Sequence, residues 1–270
     1  MGDEAIQATS DWMAVMRDME HRRADAYLRD PHAHLLAGEP AVSEVEYGLS
    51  LGGPMGVVIG RGRFGDAVIE RAMTDGVRQV VGLGAGSDTR PWRLDLPRET
   101  AWYEVDLPGQ LDGKNAVFDA HGLTVRCRRT CVDADLRGAW EHALAAAGHD
   151  PAHPTTWLAE GLFYYLDRDA ALAITDTVTE LSAPGSHLVF DVPHPGFVAD
   201  RAEFAAYMAD RGVPFVGSAD HPAELLADPA WHTEAYRAPD LEAGRCPWLE
   251  PMPHRLAVNH EWIWYAHATR

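Results

Sequence analysis

The run Val80-Val81-Gly82-Leu83-Gly84-Ala85-Gly86-Ser87-Asp88-Thr89-Arg90 carries the densest chemical signal in the chain. A short apolar stretch enters three alternate glycines, which suits a buried strand ending in a loop whose backbone approaches something closely. A dinucleotide fingerprint reads G-x-G-x-x-G at such a place. Here the third glycine, Gly86, comes one residue early, and Ser87 takes its position. The spacing favours a nucleoside cofactor without a pyrophosphate over NAD or FAD. Asp106 follows Gly84 by about 20 residues, where a carboxylate can accept hydrogen bonds from both hydroxyls of a ribose. Its other reading is a helix N-cap before Pro108. Asp135 with Leu136 suits a purine, the carboxylate accepting from an exocyclic amine, or else a cap for a helix starting at Arg137. Glu160 ends an apolar run, and a carboxylate there is costly to bury unpaired, so it faces a ligand or a cation. Arg61 and Arg63 precede a helix near the same edge. An arginine fork suits a carboxylate, although a solvent-exposed pair is the blander reading.

The elements that must position these residues follow from hydrophobic period and turn chemistry. Apolar residues recur at helical spacing from residue 4 to 28 (Ile6, Met13, Met16, Met19, Ala26, Tyr27), and Asp30-Pro31 stops that helix. Residues 48–56 read as a glycine-rich loop, and Phe64 to Met73 as a helix closed near Gly76. Strands are expected at 79–83, 101–105, 124–131, 155–159 and 186–192. Helices are expected between them at 89–94, 110–120, 137–147 and 168–181. This alternation is the signature of a parallel α/β sheet. In such a sheet ligands bind at the carboxyl ends of the strands, where the glycine run, Asp106, Asp135 and Glu160 fall. Residues 193–230 are rich in Pro, Gly and His yet hold Phe197, Phe204, Tyr207, Met208 and Phe215, which predicts an inserted helical cap. Two closing strands are expected near 231–237 and 254–267.

With 270 residues, 46% apolar and 24% charged, the chain is long enough to bury a substantial core. The expected organisation is one domain. It comprises a helical segment at 1–76, a cofactor-binding core at 77–192, a substrate cap at 193–230 and terminal strands at 231–270. The formal charge of −18 repels phosphate backbones, which argues against nucleic acid as a partner. No apolar run is long enough for a membrane span, and the acidic N-terminus lacks a signal-peptide pattern. Met1-Gly2 begins like a myristoylation site, but Ile6 stands where that motif has Ser or Thr. Cys127, Cys131 and Cys246 fit neither a disulfide framework nor a zinc site, so a reduced, cytoplasmic protein without a metal is expected.

Taken together, the glycine run, Tyr103-Glu104-Val105-Asp106-Leu107-Pro108 and Trp157-Leu158-Ala159-Glu160-Gly161-Leu162-Phe163-Tyr164-Tyr165-Leu166 resemble the leucine carboxyl methyltransferase family. The similarity is strongest to its bacterial branch of small-molecule, polyketide-type carboxyl O-methyltransferases. Asp30-Pro31-His32-Ala33, Arg61-Gly62-Arg63-Phe64 and Leu181-Ser182-Ala183-Pro184-Gly185-Ser186 fall in the family's order, so the resemblance covers roughly residues 10 to 192. It implies a Rossmann-like, seven-stranded α/β methyltransferase sheet and S-adenosylmethionine (SAM) as cofactor. It also implies that Arg63 holds the SAM carboxylate, with Gly84 and Gly86 under the methionine portion. Asp106 would take the ribose, Asp135-Leu136 the adenine, and Glu160 would lie near the amino group. Tyr165 matches a tyrosine that orients the acceptor carboxylate, a task for which Arg63 is the accompanying cation. Gly62 stands where the family has threonine, and Ser87 where it has an apolar residue. Arg17, Arg22 and Arg23 compete for a further cation on the N-terminal helix.

The acceptor expected on these grounds is a small-molecule carboxylic acid, polyketide-like or aromatic. A phenol or alcohol acceptor is the alternative, with His194, His221 or His254 as base. A SAM-binding protein that does not methylate is a third reading. An acidic protein tail is disfavoured by the acidic surface.

Overall fold

A computed structural model describes residues 3–270, without the side chains of residues 3–8 and 40. Met1, Gly2 and the Ile6 side chain lie outside that description. Seven strands form one sheet: β1 (Gln79–Leu83), β2 (Ala101–Asp106), β3 (Arg128–Asp133), β4 (Thr155–Ala159), β5 (His187–Pro193), β6 (His232–Arg237) and β7 (Ile263–Thr269). Their spatial order is β3-β2-β1-β4-β5-β7-β6. The first five are parallel, and β7 runs antiparallel to both β5 and β6. This is the mixed seven-stranded α/β sheet typical of class I methyltransferases, with helices preceding it. β1, β4 and β5 are buried along their whole length, as strands covered on both faces must be. Trp157 and Phe190 sit in the core on one face, Trp102 and Tyr265 on the other.

The N-terminal helix is shorter than its periodicity suggests, ending at His21. The glycine-rich segment departs further from expectation. Residues 39–50 are helical, only 51–54 turn, and a 20-residue helix runs Met55–Thr74. Its glycines make room. A β-carbon on Gly56 would meet the Leu256 carbonyl oxygen at 2.0 Å, and one on Gly60 the Tyr265 hydroxyl at 2.8 Å. The helix stops where Gly76 turns left-handed (φ 90°) and the Val77 amide donates to the Ala72 carbonyl.

The expected cap is present as helices Gly196–Asp200 and Ala202–Asp210, followed by an irregular strap. It packs directly onto the N-terminal helices: Phe204, Tyr207, Met208 and Val213 share one apolar cluster with Trp12, Met16, Val45 and Val58. At the C-terminus, residues 254–257 are a short helix and the last strand begins only at Ile263, after Asn259 adopts φ 62°. No helix among the described residues is long and apolar enough to cross a membrane.

Candidate functional site

The strand ends converge on a cavity of about 430 Å³. Its floor is the glycine loop. Gly84 (φ 67°) and Gly86 (φ 41°) are both left-handed, and the Gly84 amide donates to the Val105 carbonyl, which draws the loop against the end of β2. Asp106, the last residue of β2, accepts from the Gly86 amide at 2.7 Å and from the Leu107 amide at 2.8 Å. It caps no helix, since the next one starts at Asp112. Burial pushes its carboxyl above the ordinary value, while the two amides oppose that shift. At the end of β3, Asp135 accepts from the Arg137 amide and is forked by the Arg137 guanidinium at 2.7–3.2 Å. Leu136 lies beside it in the cavity wall. The expected helix at Arg137 begins only at Trp140, so Asp135 closes a turn and caps no helix.

Glu160, past the end of β4, meets the cation that its position demands. Arg90 forks it at 2.8 and 2.9 Å, donates to Asp66 (2.7 Å) and Asp88 (3.0 Å), and reaches the Gly62 carbonyl (3.0 Å). All five guanidinium N–H groups are thereby used. Burial raises the Glu160 carboxyl, against the pull of Arg90. Burial also opposes the ionisation of Asp88, yet Arg90 and Arg93 hold it down at about 2. Gly65 leaves the space for this pair, since a β-carbon there would lie 2.1 Å from Glu160 Oε1.

The arginine pair needs correction. Two residues apart on a helix are about 200° apart around its axis, so Arg61 and Arg63 cannot face the same way. Arg61 lines the cavity. Arg63 points to the other side, paired with Glu250 at 3.0 Å. Arg63 therefore does not face the cavity, and Arg61, two residues earlier, does. Among the three N-terminal candidates, Arg17 lines the cavity, donating to Asp30 (2.8 Å) and to the Ser87 carbonyl (2.6 Å). Arg22 is exposed against Asp18, and Arg23 pairs with Asp25. Ser87, out of pattern in the sequence, ties the loop to the N-terminal helix by donating to the Ser10 carbonyl at 2.8 Å.

Beyond Arg61 the cavity is apolar, walled by Trp12, Met13, Val57, Phe204, Met208 and Phe215. Tyr165 stands in this part, with burial pushing its hydroxyl up to about 12, so it is a neutral donor. No histidine lines the cavity among the described residues. His194 sits on Trp262 and accepts from the Gly196 amide, His221 caps the turn at Pro222–Leu225, and His254 pairs with Glu242. Sequence reasoning passed over Arg90 and Asp191. The signal for Asp191 was available, because it is a carboxylate inside the apolar strand β5, the same cue that singled out Glu160.

The pattern of the family described as "Leucine carboxyl methyltransferase" matches residues 11–179. Two proteins of Frankia alni, provisionally named as S-adenosyl-L-methionine-dependent methyltransferases, are similar. One is 36% identical over 91% of this chain and 90% of its own length, the other 37% identical over 93% and 91%. Among solved structures, a DUF574-family protein of Streptomyces avermitilis superposes with a TM-score of 0.63 at 15% identity, covering 95% of this chain and 96% of its own. At that identity the superposition speaks for the fold alone.

Proposed function

The chain belongs to the leucine carboxyl methyltransferase family, and from that premise we propose that it methylates the carboxylate of a small apolar acid, using SAM. The donor set fits such a cofactor. A buried carboxylate, Asp106, opens on the cavity beside a left-handed glycine loop that brings bare backbone to its floor. In this reading Asp106 takes the ribose hydroxyls, Asp135 and Leu136 the adenine, and Gly84 and Gly86 pass beneath the methionine portion. Glu160 faces the amino group and Arg17 the methionine carboxylate. When bound, SAM supplies an electrophilic methyl on a sulfonium, open to in-line displacement.

What remains for the protein is to align the acceptor oxygen and exclude water. The observation that carries the carboxylate reading is the composition of the apolar half of the cavity. It offers one guanidinium, Arg61, and two phenols, Tyr165 and Tyr164, the latter with its hydroxyl already donated to Asp191, with no histidine among its described residues. A carboxylic acid, with a pKa near ~4, is already ionised at neutral pH and needs only such donors. A phenol, near ~10, calls for a base. The Trp, Met and Phe walls suit an apolar body.

The test is methyl transfer from SAM carrying a labelled methyl to a panel of aryl and alkyl acids and the matching phenols. Each product is then exposed to dilute base, which releases labelled methanol from an ester and leaves an ether intact. Acids are expected to be methylated, with kcat/KM flat from pH 6 to 9. Base-stable products alone would sink the proposal.

A further inference from the structure

Arg61 is held from behind by Asp191, a residue that does not line the cavity. Asp191 lies within β5 and is only 1% exposed. Three donors converge on its carboxylate: the Gly161 amide on Oδ1 at 2.6 Å, and the Tyr164 hydroxyl at 2.7 Å with Arg61 Nη1 at 3.4 Å on Oδ2. The path of the guanidinium is tightly specified. Gly161 is left-handed (φ 67°), and a β-carbon there would stand 2.6 Å from Arg61 Nη1. On its other edge, Arg61 Nη2 donates, among the described residues, only to the sulfur of Met13, at 3.0 Å. A thioether is a weak acceptor. One edge of the guanidinium thus faces a buried carboxylate at 3.4 Å, and the other faces the apolar cavity with a poor partner. An anion entering that cavity would be a better one.

We propose that Asp191 is a positioning residue for methyl transfer. It holds Arg61 with its Nη2 edge toward the acceptor carboxylate and, through Tyr164 and Gly161, fixes the turn that carries Tyr165. The proposal rests on the carboxylate reading above and deepens it. Asp191 offsets the cost of burying the Arg61 charge, raising the guanidinium's pKa against the effect of burial. It also occupies Nη1, so that an acceptor meets one defined edge. Tyr164 ties the same carboxylate to the residue next to Tyr165, so the two acceptor-facing donors share one anchor.

The experiment uses the full chain and three measurements that separate the possible failures. Asp191→Asn preserves the shape and an acceptor oxygen but removes the charge. S-adenosylhomocysteine binding by calorimetry should stay within about threefold of wild type, showing that the fold and cofactor site are intact. The Arg61 guanidinium resonances in arginine-labelled protein, assigned with Arg61→Lys, should lose the restricted rotation of a held side chain. With an acid that the panel identifies, kcat/KM should fall by about 30-fold. Tyr164→Phe, which removes one arm and no charge, should lower kcat/KM by about fivefold and leave S-adenosylhomocysteine binding unchanged. Wild-type Arg61 resonances in Asp191→Asn, or in both variants wild-type kcat/KM, would overturn the proposal. A tenfold loss of S-adenosylhomocysteine affinity in Asp191→Asn would also overturn it, because Arg61 would then serve the cofactor. The guanidinium readout needs no acceptor, so it stands even if the ester test above finds no acid substrate.

Discussion

Replacing Gly65 by alanine should weaken this protein, although helix propensity alone says the opposite. Gly65 lies in the interior of the helix Met55–Thr74, where exchanging Gly for Ala ordinarily gains up to about 1 kcal/mol. Here the added carbon would stand 2.1 Å from Glu160 Oε1 and 2.6 Å from Arg90 Nη2. Arg90 cannot retreat, because its remaining donors are fixed by Asp66, Asp88 and the Gly62 carbonyl. Glu160 must swing away. Breaking a buried pair by displacing one partner costs about 3–5 kcal/mol. After subtracting the propensity gain, a net loss of roughly 2–4 kcal/mol remains, or roughly 4–10 °C in melting temperature. Because Glu160 also faces the cavity, S-adenosylhomocysteine affinity should fall about tenfold or more. Urea denaturation and calorimetry read the two effects separately. Gly113→Ala is the control: Gly113 sits in the helix Asp112–Ala120 with no atom within 4 Å of an added carbon, so it should be neutral or slightly stabilising. A Gly65→Ala protein as stable as wild type, with unchanged ligand affinity, would refute the clamp between Arg90 and Glu160.

The two arginines of the Met55–Thr74 helix should separate cleanly. Arg63→Ala removes a partly exposed pair with Glu250, worth about 0–1 kcal/mol, and should leave methyl transfer within about twofold. Arg61→Ala should lower kcat/KM by 100-fold or so, the scale of losing charge-assisted hydrogen bonds to an anion; equal effects in the labelled-methyl assay would contradict the helical phase. Acid should also destabilise the fold through histidines buried in their neutral form. Burial lowers His149 and His260 to about 4, against about 6.5 in the unfolded chain. Their folded values are depressed, so the unfolded chain takes up protons first. The stability they contribute is fully present above about pH 6.5 and is lost as pH falls towards 4, by at most about 1.4 kcal/mol per pH unit each. Urea midpoints should therefore drop between pH 7.5 and 5.5, and a double variant, His149→Gln with His260→Gln, should make that slope shallower, with His267 and His187, which burial also lowers, carrying the rest. An equally steep slope in the double variant would exclude these two residues as the cause.

How much of the site was legible depends on where each residue's partner lies. Gly84, Gly86, Asp106, Asp135 and Glu160 were found because an apolar strand fixes where its own end falls, and an open parallel sheet collects those ends on one edge. That information is local, and it survives errors such as the misplaced start of β3. The glycines of residues 48–65 behave differently. Clustered glycines made residues 48–56 read as a loop and put the helix start only at Phe64, yet Gly56, Gly60, Gly62 and Gly65 are all helical, each thinned to admit a neighbour: Leu256, Tyr265, Leu28 or Glu160. Most of those neighbours lie about 100 or more residues away in the chain, so no local window contains the reason. Starting the helix only at Phe64 also removed the helical phase that distinguishes Arg61 from Arg63. The same limit explains why the cofactor was easier to infer than the acceptor. The apolar half of the cavity, the proposed acceptor chamber, is assembled by Trp12 and Met13 from the N-terminal helix, Val57 and Arg61 from the long helix, and Phe204, Met208 and Phe215 from the cap. Each of those residues looks like ordinary core in its own segment. Specificity arises only where the three segments meet, and Asp191, reaching the chamber through Arg61, is written one layer further back.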